Sequence, residues 1–195
     1  MKQIQMDRTW AMPNKNTYQI KPIHELLATE VVGFSVDPFC RTSERATINN
    51  DINPSFGDLN HDALDFLDCF SDEEVDTVLF DPPYSPRQVS ECYKKEGIKV
   101  TNLMTSGKFW ADLKDEVARI THKGSKVISF GWNSGGMGKG RGFEIEKILL
   151  VAHGGGHNDT IVTIERKIVD NKKGIVKHCY LPFKGVCGDC GMKTQ

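Results

Sequence analysis

The tetrapeptide Asp81-Pro82-Pro83-Tyr84 is the part of the chain best suited to chemistry. The Asp81 carboxylate and the Pro82 carbonyl can accept the two hydrogens of an exocyclic amine on a nucleobase. Such an amine is a poor nucleophile because its lone pair is delocalised into the ring. Two acceptors would localise that pair and stabilise the charge developing on nitrogen. With Tyr84 as a ring on which a flipped-out base can stack, the motif predicts transfer of a methyl group to a nucleobase amine.

This motif comes directly after an apolar run, residues 75–80, that predicts a buried strand. Ligands of open α/β sheets bind at the carboxyl ends of strands, so the position of the motif favours a functional interpretation. A simpler interpretation stays open, in which Asp-Pro-Pro only ends the strand, because proline cannot continue a strand ladder.

Alternating strands and helices are predicted around this strand. The other predicted strands are residues 31–36, 46–49, 126–131, 145–152 and 160–168, and the predicted helices are residues 63–70 and 107–122. Alternation of this kind predicts an α/β fold with a mostly parallel central sheet, closed by a C-terminal antiparallel hairpin. We expect one domain over residues 1–168 and a tail over residues 169–195.

Charge is distributed unevenly along the chain, although the net charge is only −1. Residues 1–80 contain 6 lysines and arginines against 14 aspartates and glutamates, whereas residues 81–195 contain 19 against 12. A cofactor-binding half joined to a phosphate-facing half would show this asymmetry, and so would basic residues that only contact solvent. No run is apolar enough to cross a membrane and no signal peptide is evident, so we expect a cytoplasmic protein without a membrane partner.

The order of the acidic motifs resembles that of the class I, S-adenosylmethionine-dependent amino methyltransferases that act on DNA. The resemblance is closer to the small adenine-N6 methylases often carried by bacteriophages, and it covers about residues 12–168. Asp-Pro-Phe at residues 37–39 looks like the family's first cofactor loop, and Asp-Pro-Pro-Tyr looks like its catalytic element. The resemblance implies a Rossmann-like fold, S-adenosylmethionine as cofactor, DNA as partner, and a bacterial or phage-infected cell as the setting.

The same resemblance implies the residues of the site. Asp51 falls where the family places an acid on the cofactor's ribose hydroxyls, and Asp62 falls where an acid contacts the cofactor's adenine. Asp37, Asp51 and Asp62 each have an alternative role as a helix cap or turn residue. The implied catalytic residues are Asp81, Pro82, Pro83 and Tyr84, and the implied cofactor-binding residues are Asn14, Thr17, Lys21, Pro22, Asp37, Pro38, Phe39, Asp51, Asp62 and Asp81.

The chain departs from the family after residue 39. Family members usually continue with a glycine-rich turn that lets the backbone approach the cofactor, whereas residues 40–45 here contain no glycine. The connection to the next predicted strand is also shorter than a parallel crossover with a full helix requires. Either the first helix is reduced to a turn, or the cofactor is bound differently and more weakly.

Candidate contacts to DNA lie in the basic part of the chain. They are Arg87, Lys94, Lys95 and Lys99 after the tetrapeptide, and Lys139 and Arg141 in a glycine-rich loop, residues 133–142. Flexible glycines around two cations suit phosphate contacts, but such a loop is also typical of a mobile surface connection. The sequence contains no evident target-recognition domain, so recognition of a DNA sequence would come from a homodimer or an accessory partner.

Two clusters raise the question of a metal. Cys187 and Cys190 have the spacing of a zinc knuckle, with His178 and Cys179 nearby as ligands of the right type. A redox pair or an unliganded terminus are the alternatives. The histidines and the aspartate of residues 153–159 surround three glycines, and we expect them to cap a tight hairpin without a metal.

The function expected from these residues and from the resemblance is transfer of a methyl group from S-adenosylmethionine to adenine N6 in DNA, after base flipping. Two alternatives keep the chemistry and change the target to cytosine N4 in DNA or guanine N2 in RNA. A third alternative, motivated by the missing glycines, is a catalytically weak, methyltransferase-like DNA-binding protein.

Overall fold

A computed structural model describes residues 3–102 and 104–170 of the 195-residue chain. Its strands are β1 Gln5–Trp10, β2 Ser35–Asp37, β3 Ile48–Asn49, β4 Val75–Phe80, β5 Thr121–Gly131, β6 Phe143–Ala152 and β7 Thr160–Lys167. Its helices are α1 Lys21–Glu30, α2 Ala63–Asp68, α3 Pro86–Lys95 and α4 Gly107–Ile120. Two short 3-10 turns lie at Thr17–Gln19 and Lys139–Arg141.

The strands of the described residues form one seven-stranded sheet in the order β1-β6-β7-β5-β4-β2-β3. Neighbouring strands run parallel except around β7, which is antiparallel to both β5 and β6. The expected α/β fold, with a mostly parallel sheet and a C-terminal antiparallel hairpin, is confirmed. Because β2, β3, β4 and β5 run in the same direction, their carboxyl ends meet at one edge of the sheet.

Helices cover both faces of this sheet, since strand residues alternate between two apolar clusters. Val78 and Phe80 of β4 belong to the cluster that contains α2, α3 and α4, whereas Leu79 between them belongs to the cluster that contains α1. Burial on both faces explains why β4 is apolar almost throughout. Within the described residues, no helix is long and apolar enough to span a membrane.

Three elements are not predicted by the sequence analysis: α1, α3 and β1. The two helices carry ordinary start signals, because both have a proline in the first turn, and the Ser85 hydroxyl before α3 accepts a hydrogen bond from the Gln88 N–H at 3.3 Å. β1 lies at the edge of the sheet and most of its residues are exposed, so it lacks the apolar alternation of a half-buried strand.

The predicted elements are present with different bounds. The strand predicted over residues 126–131 is wrong at its start, since β5 begins at Thr121. The helix predicted over residues 107–122 is two residues too long, since α4 ends at Ile120. Lys167 explains this early end, because its buried ammonium donates to the carbonyls of Ala118 and Thr121 at 2.5 and 2.6 Å. Between β2 and β3, residues 38–47 contain turns and no helix, as one of the two sequence-based alternatives proposed.

Candidate functional site

A cleft of about 450 Å³ lies where the chain leaves the carboxyl ends of β2, β3 and β4. This edge is where open α/β sheets bind ligands, and the volume is in the range of small-molecule sites. The cleft brings together residues that are far apart in the sequence. Of the residues predicted for the site, those that line it are Thr17, Pro38, Phe39, Asp51, Asp81, Pro82, Pro83, Tyr84 and Lys95.

The tetrapeptide after β4 is fixed by contacts on both sides. The indole N–H of Trp110 on α4 donates to the Pro83 carbonyl at 3.0 Å, and the Tyr84 N–H donates to the Gln88 side chain on α3 at 2.7 Å. No described residue donates a hydrogen bond to the Pro82 carbonyl. Pro82 therefore lines the cleft next to Asp81 with a carbonyl that no described residue occupies.

The Asp81 carboxylate opens on the cleft, but protein atoms crowd it on most sides. Burial raises its pKa, while hydrogen bonds from Tyr84 and Thr17 and the charge of Arg41 act in the opposite direction. The Tyr84 hydroxyl donates to Asp81 Oδ1 at 2.5 Å. Burial and Asp81 together raise the pKa of Tyr84, so its hydroxyl stays a donor.

Beneath the cleft, Asp37 and Tyr18 leave polar atoms without partners. Asp37 is fully buried, and its Oδ1 accepts a hydrogen bond from the Phe39 N–H at 2.9 Å. Asp37 Oδ2 and the Tyr18 hydroxyl have no hydrogen-bond partner among the described residues, although Tyr18 lies close enough to favour the ionised carboxylate. Burial nevertheless raises the pKa of Asp37 well above its usual range. Unsatisfied buried polar atoms are costly, and the Tyr18 hydroxyl is the group that lies near enough to Asp37 to donate to it.

Asp51 and Asp62 have different roles in the structure. Asp51 lines the cleft, and its two carboxylate oxygens accept the N–H groups of Arg41 and Asn53, both at 2.9 Å. Asp62 does not line the cleft: it caps α2 by accepting the Leu64 N–H at 3.0 Å and also accepts the Tyr93 hydroxyl. Asp62 therefore has the helix-cap role that the sequence offers as an alternative.

Three other predicted cofactor residues lie outside the cleft lining. Asn14 is exposed, and its side chain accepts the Asn16 N–H at 2.9 Å. Lys21 and Pro22 form the first turn of α1, and Lys21 is exposed. From this N-terminal segment the cleft is lined instead by Thr17, together with Lys15.

Two smaller cavities adjoin the cleft. One, of about 350 Å³, shares Thr17, Phe39, Arg41 and Asp81 with it. The other, of about 130 Å³, lies between the tetrapeptide and the end of β5.

The sequence analysis missed two aromatic residues of this smallest cavity, Trp110 and Trp132. Trp132 is 45% exposed and packs edge-on against Tyr84, with ring centroids 5.4 Å apart. Its place directly after a parallel strand is the signal that could have identified it.

The loop of residues 133–142 is not the unattached connection that its glycines suggest. The buried Glu165 on β7 accepts the N–H groups of Met137 and Gly138 at 2.5 and 3.0 Å, and burial raises the pKa of Glu165. Arg141 pairs with Asp115 on α4 at 2.6 Å, which occupies a side chain predicted to contact phosphate. Lys139 is exposed, and no described residue pairs with it.

The other predicted phosphate contacts lie on and after α3. Arg87 is exposed and pairs with Glu91 at 2.8 Å. Lys94, Lys95 and Lys99 are exposed as well, and Lys95 also lines the cleft. These lysines place positive charge next to the tetrapeptide.

The metal predictions have separate outcomes. Cys187 and Cys190, with His178 and Cys179, lie outside the described residues. Within those residues, no group of three or more histidine, cysteine or acidic side chains is arranged to hold a metal ion. The ring nitrogens of His153 contact the Ala11 carbonyl after β1 and the Thr160 hydroxyl on β7, both at 2.9 Å, and its backbone N–H donates to Asp159 in the hairpin at 3.1 Å.

Comparison with known proteins does not assign the chain to a family. No protein-family model matches the chain, and no curated protein matches it at a significant level. The function must therefore be argued from the site itself.

Proposed function

We propose that the protein is an S-adenosylmethionine-dependent methyltransferase that methylates the N6 amine of adenine in DNA. The observation that carries this proposal is that Asp81, Pro82 and Tyr84 line one cleft, while no described residue donates a hydrogen bond to the Pro82 carbonyl. The sheet supports it, because its parallel strands place the cleft at their carboxyl ends and β7 lies antiparallel between β5 and β6. This arrangement suits a Rossmann-like fold of the class I methyltransferase kind.

In the proposed reaction, the chain's residues make the amine nucleophilic. Its two hydrogens are donated to Asp81 and to the Pro82 carbonyl, which localises the nitrogen lone pair. A carboxylate has about four acceptor sites, so Asp81 can accept the amine while Tyr84 still donates to Oδ1. The cofactor supplies a methyl group on an electrophilic sulfonium. No base has to act before the attack, and the extra proton leaves to solvent afterwards.

The cleft fits the cofactor in shape and chemistry. Phe39, Ile52 and Phe56 give it an apolar wall for an adenine ring, and Asp51 lies on the same wall as an acceptor for ribose hydroxyls. The unpartnered atoms of Asp37 and Tyr18 lie beneath the part that adjoins Thr17 and Asp81. An ammonium group bound in that part of the cleft would lie beside the Asp81 carboxylate.

The amine of the target base would lie in the cleft beside Asp81 and Pro82, and its ring is assigned to the 130 Å³ cavity on the other side of the tetrapeptide, whose lining includes Pro82 and Tyr84. Tyr84 and Trp132 lie on its wall as aromatic surfaces, and base stacking on such surfaces recovers part of the cost of unstacking. The exposed lysines after the tetrapeptide, with Lys139, are the proposed phosphate contacts. A homodimer or an accessory protein would supply sequence recognition, in a bacterial or phage-infected cytoplasm.

Nucleoside analysis tests this function directly. DNA and RNA are incubated with the protein and methyl-labelled S-adenosylmethionine, digested to nucleosides and analysed by mass spectrometry. We expect labelled N6-methyldeoxyadenosine, and at least about a hundredfold less from Asp81→Ala, which removes the acceptor. Label on cytosine N4 or guanine N2 would keep the chemistry and change the substrate. Cofactor binding without product in any nucleic acid would contradict the proposed enzyme and favour a binding protein.

A further inference from the structure

Arg41 has an unusual backbone conformation in the loop where glycine was expected. Its φ angle is +50°, in the left-handed region that side-chain-bearing residues seldom adopt. Only one other non-glycine residue of the described chain, Glu73, has a positive φ. Such conformations persist where surrounding contacts impose them, and they are common at binding sites.

Contacts on both sides impose this conformation. The Arg41 N–H donates to Asp51 Oδ2 at 2.9 Å, and the preceding Cys40 N–H donates to the Asn50 carbonyl at 2.9 Å. The Arg41 guanidinium extends in the other direction and donates to the Lys15 carbonyl at 2.6 Å. Arg41 therefore connects the loop after β3 to the N-terminal segment across the cleft.

The charge of Arg41 lies at the junction of two cavities. Among the described residues, Arg41 is the only cationic side chain that lines both the 450 Å³ cleft and the 350 Å³ cavity beside it. Arg41 is exposed, and no acidic side chain of the described chain forms a salt bridge with it. Most of its five donors are thus free for a ligand, and a guanidinium can bind a carboxylate through two of them.

The surroundings of this junction are acidic. Asp81 lines both cavities, Asp51 lines the cleft, and Asp37 lies buried beneath them. Glu44 also lines the smaller cavity, so a ligand carboxylate placed here would be repelled without a cation beside it. Arg45 is the other arginine of the smaller cavity, and its guanidinium contacts the His24 imidazole at 2.6 Å. Of these two arginines, Arg41 is therefore the one without a side-chain partner among the described residues of the cavity.

Building on the proposed function, we propose that Arg41 binds the carboxylate of the cofactor's methionine part. A glycine-rich turn offers only backbone at this point, whereas this chain keeps the positive φ and adds a guanidinium. The contact of Arg41 with the Lys15 carbonyl would then link carboxylate binding to the position of the N-terminal segment.

Calorimetry with two matched ligands tests this assignment without measuring activity. The ligands are S-adenosylhomocysteine and its decarboxylated analogue, which keeps the adenosine, the sulfur and the amine. Arg41→Gly removes the guanidinium and suits the positive φ, since glycine adopts that region without strain. We expect this variant to bind S-adenosylhomocysteine roughly tenfold or more weakly than the wild type, with little change for the analogue.

Two further variants separate charge from loop structure. Arg41→Lys should lose part of the preference for the carboxylate, because an ammonium cannot form the paired contact of a guanidinium. Arg45→Ala, in the same loop, should leave the preference unchanged. Equal losses for both ligands in Arg41→Gly, or no loss, would overturn this inference and leave the proposed function standing. A wild-type protein that binds neither ligand would overturn both.

Discussion

The hydrogen bond between Tyr84 and Asp81 leads to a prediction about pH. The Tyr84 hydroxyl donates to a carboxylate whose pKa burial raises, and this bond favours the ionised form. Asp81 must be ionised to accept the amine, so activity should fall as pH drops through its pKa. Tyr84→Phe removes the donor, keeps the ring, and should therefore move this acid limb to higher pH.

The size of the shift follows from the strength of the bond. A hydrogen bond to a charged group contributes about 1.5–3 kcal/mol, and one pKa unit corresponds to about 1.4 kcal/mol. The full loss would move the limb by about one to two pH units. Asp81 opens on a cleft, so water can replace part of the lost contact, and we expect a shift of about one unit.

The assay is kcat/KM for DNA methylation as a function of pH, for wild type and Tyr84→Phe. Tyr93→Phe is the matched control, because Tyr93 lines the same cleft but its hydroxyl donates to Asp62. We expect the acid limb to move only in Tyr84→Phe, with rates near those of the wild type at high pH. A uniform loss at every pH, or a limb that also moves in Tyr93→Phe, would refute the reasoning.

Three further predictions concern neighbouring residues. Asp81→Ala should lower kcat about a hundredfold or more with an unchanged thermal unfolding midpoint, and near-normal turnover would show that the site is wrong. Trp132→Ala should raise the KM for DNA, since one stacking contact contributes about 1–3 kcal/mol. The affinity for S-adenosylhomocysteine, measured by calorimetry, should stay the same. A loss of cofactor affinity instead would mean that Trp132 contacts the cofactor in the cleft. Lys139→Ala should reduce the slope of log affinity for DNA against log salt by about one, whereas Arg141→Ala should lower the unfolding midpoint because it breaks the pair with Asp115. If Arg141→Ala instead keeps the unfolding midpoint of the wild type and reduces the salt slope of DNA affinity, Arg141 contacts DNA.

Local signals explain what the sequence predicts well. β4 is an apolar run ended by two prolines, so its bounds and the position of Asp81 follow from neighbouring residues alone. Predictions that depend on partners distant in sequence are less successful. α4 ends at Ile120, where Lys167 on β7 donates to the carbonyls of Ala118 and Thr121. No local pattern contains that information.

The acidic residues show the same limit within the site. Asp51 follows β3 and Asp62 precedes α2, in the order that the resemblance requires, yet only Asp51 lines the cleft. Asp62 caps α2 through a local contact with the Leu64 N–H, and it also accepts the Tyr93 hydroxyl, a contact that exists only once α2 and α3 are packed. Sequence order can place a carboxylate near a strand end, but the partners of that carboxylate decide whether it faces a ligand.

The glycine-free loop after β2 shows why residue types alone mislead about binding. The missing glycines suggest weak cofactor binding, on the premise that only glycine lets the backbone take the required turn. In the structure the turn is taken by Arg41, whose positive φ is imposed by Asp51 and by the backbone around Asn50. The required backbone conformation therefore does not need glycine here, because the acid predicted to bind ribose also fixes the loop. The same contacts leave a guanidinium at the junction of the two cavities, so the departure from the family pattern is itself a reason to expect a bound carboxylate.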